Sequence, residues 1–137
     1  MRKIDGVVIN CTATNPSWYE YKTAQDVVNE IRRWHVTERK WSDIGYHAVI
    51  QRDGHVANGR PVERSGAHTR GANKSTFGKA LVGGRGGCAD DNFLDHFTEM
   101  QQNSIQKLLK KLKQDFPIQW IKGHQDFAKK ACPFFFR

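Results

Sequence analysis

His124 and Cys132 stand eight positions apart, and a short β-branched run, Val7-Val8-Ile9, ends in Asn10-Cys11-Thr12. An imidazole and a thiolate are good zinc ligands, and catalytic zinc sites hold three protein ligands plus a water. Both segments read as leaving buried strands at their carboxyl ends, where ligands of α/β sheets bind, so a shared pocket is expected. Two ligands do not make a metal motif, and a His and a Cys at this spacing also fit a surface residue and a core residue. Cys11 alternates with Asn10 along the strand and reads as a packing thiol. On the residues alone, Tyr46 fits a half-buried strand aromatic and Lys130 a solvated surface amine; Trp34 and His35 fit packing and rim positions on a helix.

The elements that must position these groups follow from periodicity. Val7 to Ile9 reads as a buried strand. Thr23 with Asp26 resembles a capping box, and Val27, Ile31 and Trp34 recur at helical spacing, which predicts a helix over 23–38. Alternation in Tyr46 to Gln51, then Asp53-Gly54 with positive φ, then His55-Val56-Ala57, predicts a hairpin. Residues 59–76, rich in Gly, Ser, Arg and Asn, read as a long loop of the kind that is often functional. Phe77 to Val82 is a strand candidate. Gly83-Gly84-Arg85-Gly86-Gly87 is punctuation, since no Lys-Ser/Thr pair or helix follows it to cradle a phosphate. Thr98 and Gln101 form a second capping box. Ile105, Leu108, Leu109, Leu112 and Phe116 make the apolar stripe of a helix ending before Pro117, with a solvated Lys107 to Lys113 face opposite. Ile118 to Ile121 reads as the last strand. Phe134-Phe135-Phe136 must be partly buried or form an adhesive patch. The order predicts one α/β domain spanning 1–137, a mixed central β-sheet flanked by helices.

At 137 residues a two-domain enzyme is excluded. The 22 Lys+Arg against 14 Asp+Glu give a net charge of +8, which suits an anionic partner. Three cysteines do not make a disulfide framework. No apolar run is long enough to span a bilayer, and Met1-Arg2-Lys3-Ile4-Asp5-Gly6 lacks the apolar stretch of a signal peptide, so a chain made in the cytoplasm is expected. The basic residues are dispersed and no nucleic-acid motif is present, so the charge alone does not predict nucleic-acid binding.

Several stretches together resemble the N-acetylmuramoyl-L-alanine amidases of the bacteriophage lysozyme type, relatives of peptidoglycan recognition proteins. They are Val8-Ile9-Asn10-Cys11-Thr12-Ala13-Thr14, Ile31-Arg32-Arg33-Trp34-His35, Trp41-Ser42-Asp43-Ile44-Gly45-Tyr46-His47, Arg52-Asp53-Gly54, Gly66-Ala67-His68, Leu81-Val82-Gly83-Gly84, Gly123-His124-Gln125-Asp126 and Lys130-Ala131-Cys132-Pro133. The resemblance covers almost the whole chain. It implies an amidase/PGRP-like fold and a zinc hydrolase that cuts the amide between the lactyl group of N-acetylmuramic acid and the first L-alanine of the stem peptide. By the same resemblance His124 and Cys132 fall on two zinc ligands, and Tyr46 and Lys130 on positions that assist catalysis. His68 matches a histidine lining the substrate groove, and His47 is grouped with it as substrate-binding.

The family's third zinc ligand is a histidine at the end of the first strand, and here that position is Asn10. Three arrangements are open: Asn10 ligates weakly, His68 or His47 substitutes, or the pocket binds without a metal. Two functions follow, an endolysin-like amidase acting on the wall after release, or a non-catalytic peptidoglycan-binding relative. Bacterial peptidoglycan is the expected partner, RNA polymerase is a partner by family analogy only, and a monomer is expected.

Overall fold

The computed structural model describes residues 2–85 and 93–123. Five strands form one sheet: β1 (Gly6–Cys11), β2 (Ala48–Ile50), β3 (Val56–Asn58), β4 (Thr76–Leu81) and β5 (Trp120–Gly123). Their order is β3-β2-β4-β1-β5. The hairpin β2–β3 is antiparallel, and β1, β2, β4 and β5 run parallel, as expected for a mixed sheet fed by helical crossovers. β1 and β4 are buried along their whole length, the pattern of parallel strands covered on both faces.

Three helices, α1 (Ala24–Arg33), α2 (Phe93–His96) and α3 (Glu99–Asp115), supply the layers. Both predicted capping boxes form: Thr23 with Asp26 opens α1, and Thr98 with Gln101 opens α3. Each satisfies helix N–H groups that would otherwise lack a partner. Gln101 does more. It is fully buried, and its amide nitrogen Nε2 donates to Ile50 O at 3.1 Å and Val82 O at 3.0 Å while Oε1 accepts from Thr98 N–H. The cap of α3 is thereby tied to the carboxyl ends of β2 and β4. The α3 stripe packs through Ile105 and Leu112 against Val7, Ile9, Ile50, Phe77 and Leu81, and α1 packs through Val27, Val28 and Ile31 against Val49, Ala80 and Val82.

The structure departs from the sequence reading in four places. The helix predicted over 23–38 is α-helical only to Arg33 and continues as a π-helical turn, Trp34–Glu38, closed by Arg39 N–H donating to Trp34 O. In the hairpin turn only Gly54 has positive φ (+89°), because the Gln51 N–H to His55 O bond encloses three residues, Arg52 to Gly54, and such a loop needs left-handed backbone at its last position alone. β5 lies two residues beyond the predicted 118–121, where its pairing to β1 sets it. The short helix α2 was not anticipated.

Candidate active site

β1 and β4 pair in parallel register, Val8 opposite Gly78 and Asn10 opposite Ala80, so these four residues share one face of the sheet. Asn10 is 1% exposed. Its Nδ2 donates weakly to Lys79 O at 3.4 Å, and its Oδ1 has no hydrogen-bond partner among the described residues. A buried acceptor left without a donor costs about 1–3 kcal/mol, so this carboxamide is a place where the fold leaves a binding valence open. On the other side of β1, β5 is in register with Gly123 opposite Ile9. His124, Lys130 and Cys132 lie outside the described residues.

His68 reaches the same face of the sheet from the long loop. An added Cβ at Gly78 would fall 2.2 Å from the His68 ring, so the imidazole rests directly on the strand backbone and only glycine allows that approach. Asn10 lies two residues, about 7 Å, further along the strands. The loop that carries His68 is ordered by half-buried polar side chains, Arg2, Arg60 and Asn73, that sequence reasoning passed over. Asn73 Oδ1 accepts from His68 N–H (3.1 Å) and Thr69 N–H (3.0 Å). Arg2 donates to Val62 O, Lys74 O and Thr76 O, and Arg60 to Asp43 O, Ile44 O and Ser65 O. The His68 ring is held between two hydroxyls, Thr69 Oγ1 at 3.0 Å from Nδ1 and Thr76 Oγ1 at 3.4 Å from Nε2.

His47 is a different case. It is buried, its Nδ1 accepts from Gly78 N–H at 3.0 Å, and its Nε2 donates to Arg64 O at 2.8 Å. Both ring nitrogens have backbone partners, and through them the ring ties β4 to the loop. Burial, with the charges of Arg2 and Arg60, pushes its pKa down to about 4, so the ring is neutral at pH 7.

Beside this floor opens a cleft of about 490 Å³ lined by Thr12, Ile31, Trp34, His35, Glu38, Arg39 and Tyr46. Tyr46 lines this cleft together with Thr12, the residue that follows the carboxyl end of β1. Thr12 is fixed at that end: its N–H donates to Leu81 O, and its hydroxyl accepts from Gly83 N–H. His35, read from sequence with Trp34 as a packing or rim residue, lines the cleft. Its Nδ1 accepts from Gly45 N–H at 2.8 Å, which leaves the hydrogen on Nε2. Burial first, then the charges of Arg39 and Arg60, pushes its pKa down to about 4. A neutral imidazole, a phenol and a threonine hydroxyl in one cleft can hydrogen-bond an amide and its flanking groups.

A family model described as N-acetylmuramoyl-L-alanine amidase matches residues 1–134. The chain belongs to the N-acetylmuramoyl-L-alanine amidase family. This amidase is 40% identical to the endolysin of Escherichia phage T7 over 134 residues, covering 96% of this chain and 81% of the relative. It is 39% identical to the endolysin of Klebsiella phage KP32, covering 94% and 80%. Among solved structures it is similar to the N-acetylmuramoyl-L-alanine amidase LysC from Clostridium intestinale, with a TM-score of 0.75, 30% identity, and coverage of 96% of this chain and 77% of that one. Drosophila PGRP-LB shares the fold with a TM-score of 0.78 at 21% identity, over 97% and 76% of the two chains. The fold class read from the sequence and the family resemblance are both borne out. Among the described residues no helix is long and apolar enough to cross a membrane.

Proposed function

We propose that this amidase hydrolyses the amide between the lactyl group of N-acetylmuramic acid and the L-alanine of the stem peptide in bacterial peptidoglycan, acting as an endolysin on the wall, with Asn10, His124 and Cys132 holding a zinc ion. The observation that carries the reading is the register of β1 and β5: Gly123, the residue before His124 in the sequence, is paired with Ile9, the residue before Asn10. The unsatisfied Asn10 Oδ1 supports a cation at this spot, because a metal would meet the acceptor that no donor meets. Among the described residues no three His, Cys, Asp or Glu side chains come together as an alternative metal site. Asn10 offers a neutral oxygen where zinc prefers imidazole or thiolate, so the affinity is lower than three such ligands would provide. The chemistry supplied by zinc when bound is Lewis acidity at the scissile carbonyl.

The chain's own residues supply the rest. The Tyr46 phenol at the cleft wall, with Lys130, stabilises negative charge developing on the carbonyl oxygen and moves protons to the leaving amine. His68, clamped on Gly78, lines the substrate groove. The net charge of +8 concentrates the protein at anionic wall polymers.

The test is to incubate the purified chain with isolated cell walls, following turbidity and newly exposed L-alanine amino groups, with zinc content measured on the same sample. Clearing walls, new alanine amines and zinc approaching one per chain support the proposal. Walls that bind the protein and stay intact overturn it in favour of the non-catalytic binder, the reading that the Asn10 carboxamide would then explain.

A further inference from the structure

Trp34 is the one large aromatic of the cleft lining that no step above uses. It opens the π-helical turn, half buried, and Trp18 stacks on it with ring centroids 5.3 Å apart and planes tilted by 39°. Tyr19 continues the stack at 4.6 Å from Trp18. Trp18, itself half-buried, is not among the residues that line the cleft, so the Trp18 contact lies outside the lining that Trp34 joins. The contact is anchored rather than loose. Tyr19 OH donates to Glu30 Oε2 at 3.1 Å, and the buried Gln51 amide donates to Tyr19 O and Lys22 O, both at 3.0 Å. The three rings pack against the core under α1, and the last of the series, Trp34, lines the cleft.

We propose that Trp34 is the stacking platform for the pyranose ring of the substrate's N-acetylated sugar; the proposal rests on the amidase reading above and adds where the glycan half sits. The cleft wall is chemically divided along the π-helical turn. Glu38 and Arg39 give its far end charge, with the Arg39 guanidinium 5.3 Å from the Trp41 ring, and this end suits an ionised peptide. Trp34 and Ile31 give the other end an uncharged face. A pyranose presents a patch of C–H bonds with slight positive charge on one ring face, and an indole presents its negative π face. Because Trp34 is already held by Trp18, little side-chain freedom is lost when the sugar docks.

The experiment uses the two halves of the substrate as separate, uncleavable ligands on the full chain: N-acetylmuramic acid, and a stem tripeptide beginning with L-alanine. Both are titrated by NMR into the wild type, Trp34→Leu and Trp34→Phe. In the wild type, the sugar C–H protons are expected to shift upfield from the indole ring current. Trp34→Leu is expected to weaken the sugar by about 3- to 10-fold, the size of one aromatic stacking contact, and to leave the tripeptide unchanged. Trp34→Phe is expected to fall between, which also covers a Leu variant that fails to fold. Equal weakening of both ligands, or no change in the sugar, overturns the stacking role alone. Failure of the wild type to bind either ligand, with walls left intact, overturns the amidase reading along with it.

Discussion

Lys79 offers the sharpest test of the energetics of this fold. It sits in the middle of β4, paired with Ile9 on one side and Ala48 on the other, on the strand face it shares with Phe77 and Leu81 under α3. The side chain is 0% exposed, and its Nζ has no hydrogen-bond partner among the described residues. Burial pushes the ammonium pKa from the ordinary 10.5 down to about 7. The unfolded chain therefore binds a proton here below pH 10.5, while the folded chain does so only below about pH 7. Between these values the unfolded state holds more protons, so stability falls as pH drops from 10.5 toward 7, and below pH 7 the penalty is constant. At about 1.4 kcal/mol per pH unit, the accumulated cost at pH 7 is on the order of 4 kcal/mol, a large share of the 5–15 kcal/mol typical of a domain. Lys79→Met keeps the length and removes the charge. Urea unfolding of both proteins, followed by tryptophan fluorescence, should show the variant more stable at pH 7 by about 3–4 kcal/mol, with the gap narrowing by about 2 kcal/mol at pH 9. A gap that does not change with pH, or a less stable Met variant at pH 7, would refute the reasoning.

Three further outcomes are expected. Asn10→His should raise both zinc content and wall clearance by at least about tenfold, since an imidazole replaces a neutral oxygen beside the predicted ligands; metal analysis with a turbidity assay checks this. Cys132→Ser should strip residual zinc, and retained metal in that variant would point to another site. Gly78→Ala should drive its new methyl into the His68 ring, costing about 1–3 kcal/mol in urea unfolding and lowering wall clearance, whereas an unchanged variant would show that His68 is free to move aside.

What was legible in the sequence was local or repeated along one element. The two capping boxes span four residues each, and the α3 stripe repeats over three turns, so Thr23, Asp26, Thr98, Gln101 and Ile105 to Leu112 announce their roles within a short window. What was not legible depends on partners far along the chain. Gly78 looks like any strand glycine until His68 is seen resting on it, and nothing local in the sequence announces that Gly78 N–H and Arg64 O meet the two ring nitrogens of His47. The displaced β5 has the same origin, because its boundaries follow from pairing with β1 and not from its own apolar pattern. His35 was read only as a packing or rim residue because its place in the cleft lies on the π-helical turn, which helical spacing alone does not distinguish from a continued α-helix. The family resemblance supplied the candidate ligands and Tyr46, and the geometry adds that Tyr46, Thr12 and His35 share one cleft.

The interior position of β1 also dictates an order of assembly. Gly6 is paired with Thr76 on one flank and Trp120 on the other, so β1 is held by segments synthesised much later than itself. The β2–β3 hairpin closes over only a few residues and can form early, but β1 must wait, at a high loop-closure cost, for most of the polypeptide to emerge. A nascent chain interrupted before Trp120 leaves one edge of β1 bare, an apolar strand open to pairing with its neighbours, so incomplete products of this message should accumulate as aggregates rather than as smaller folded proteins.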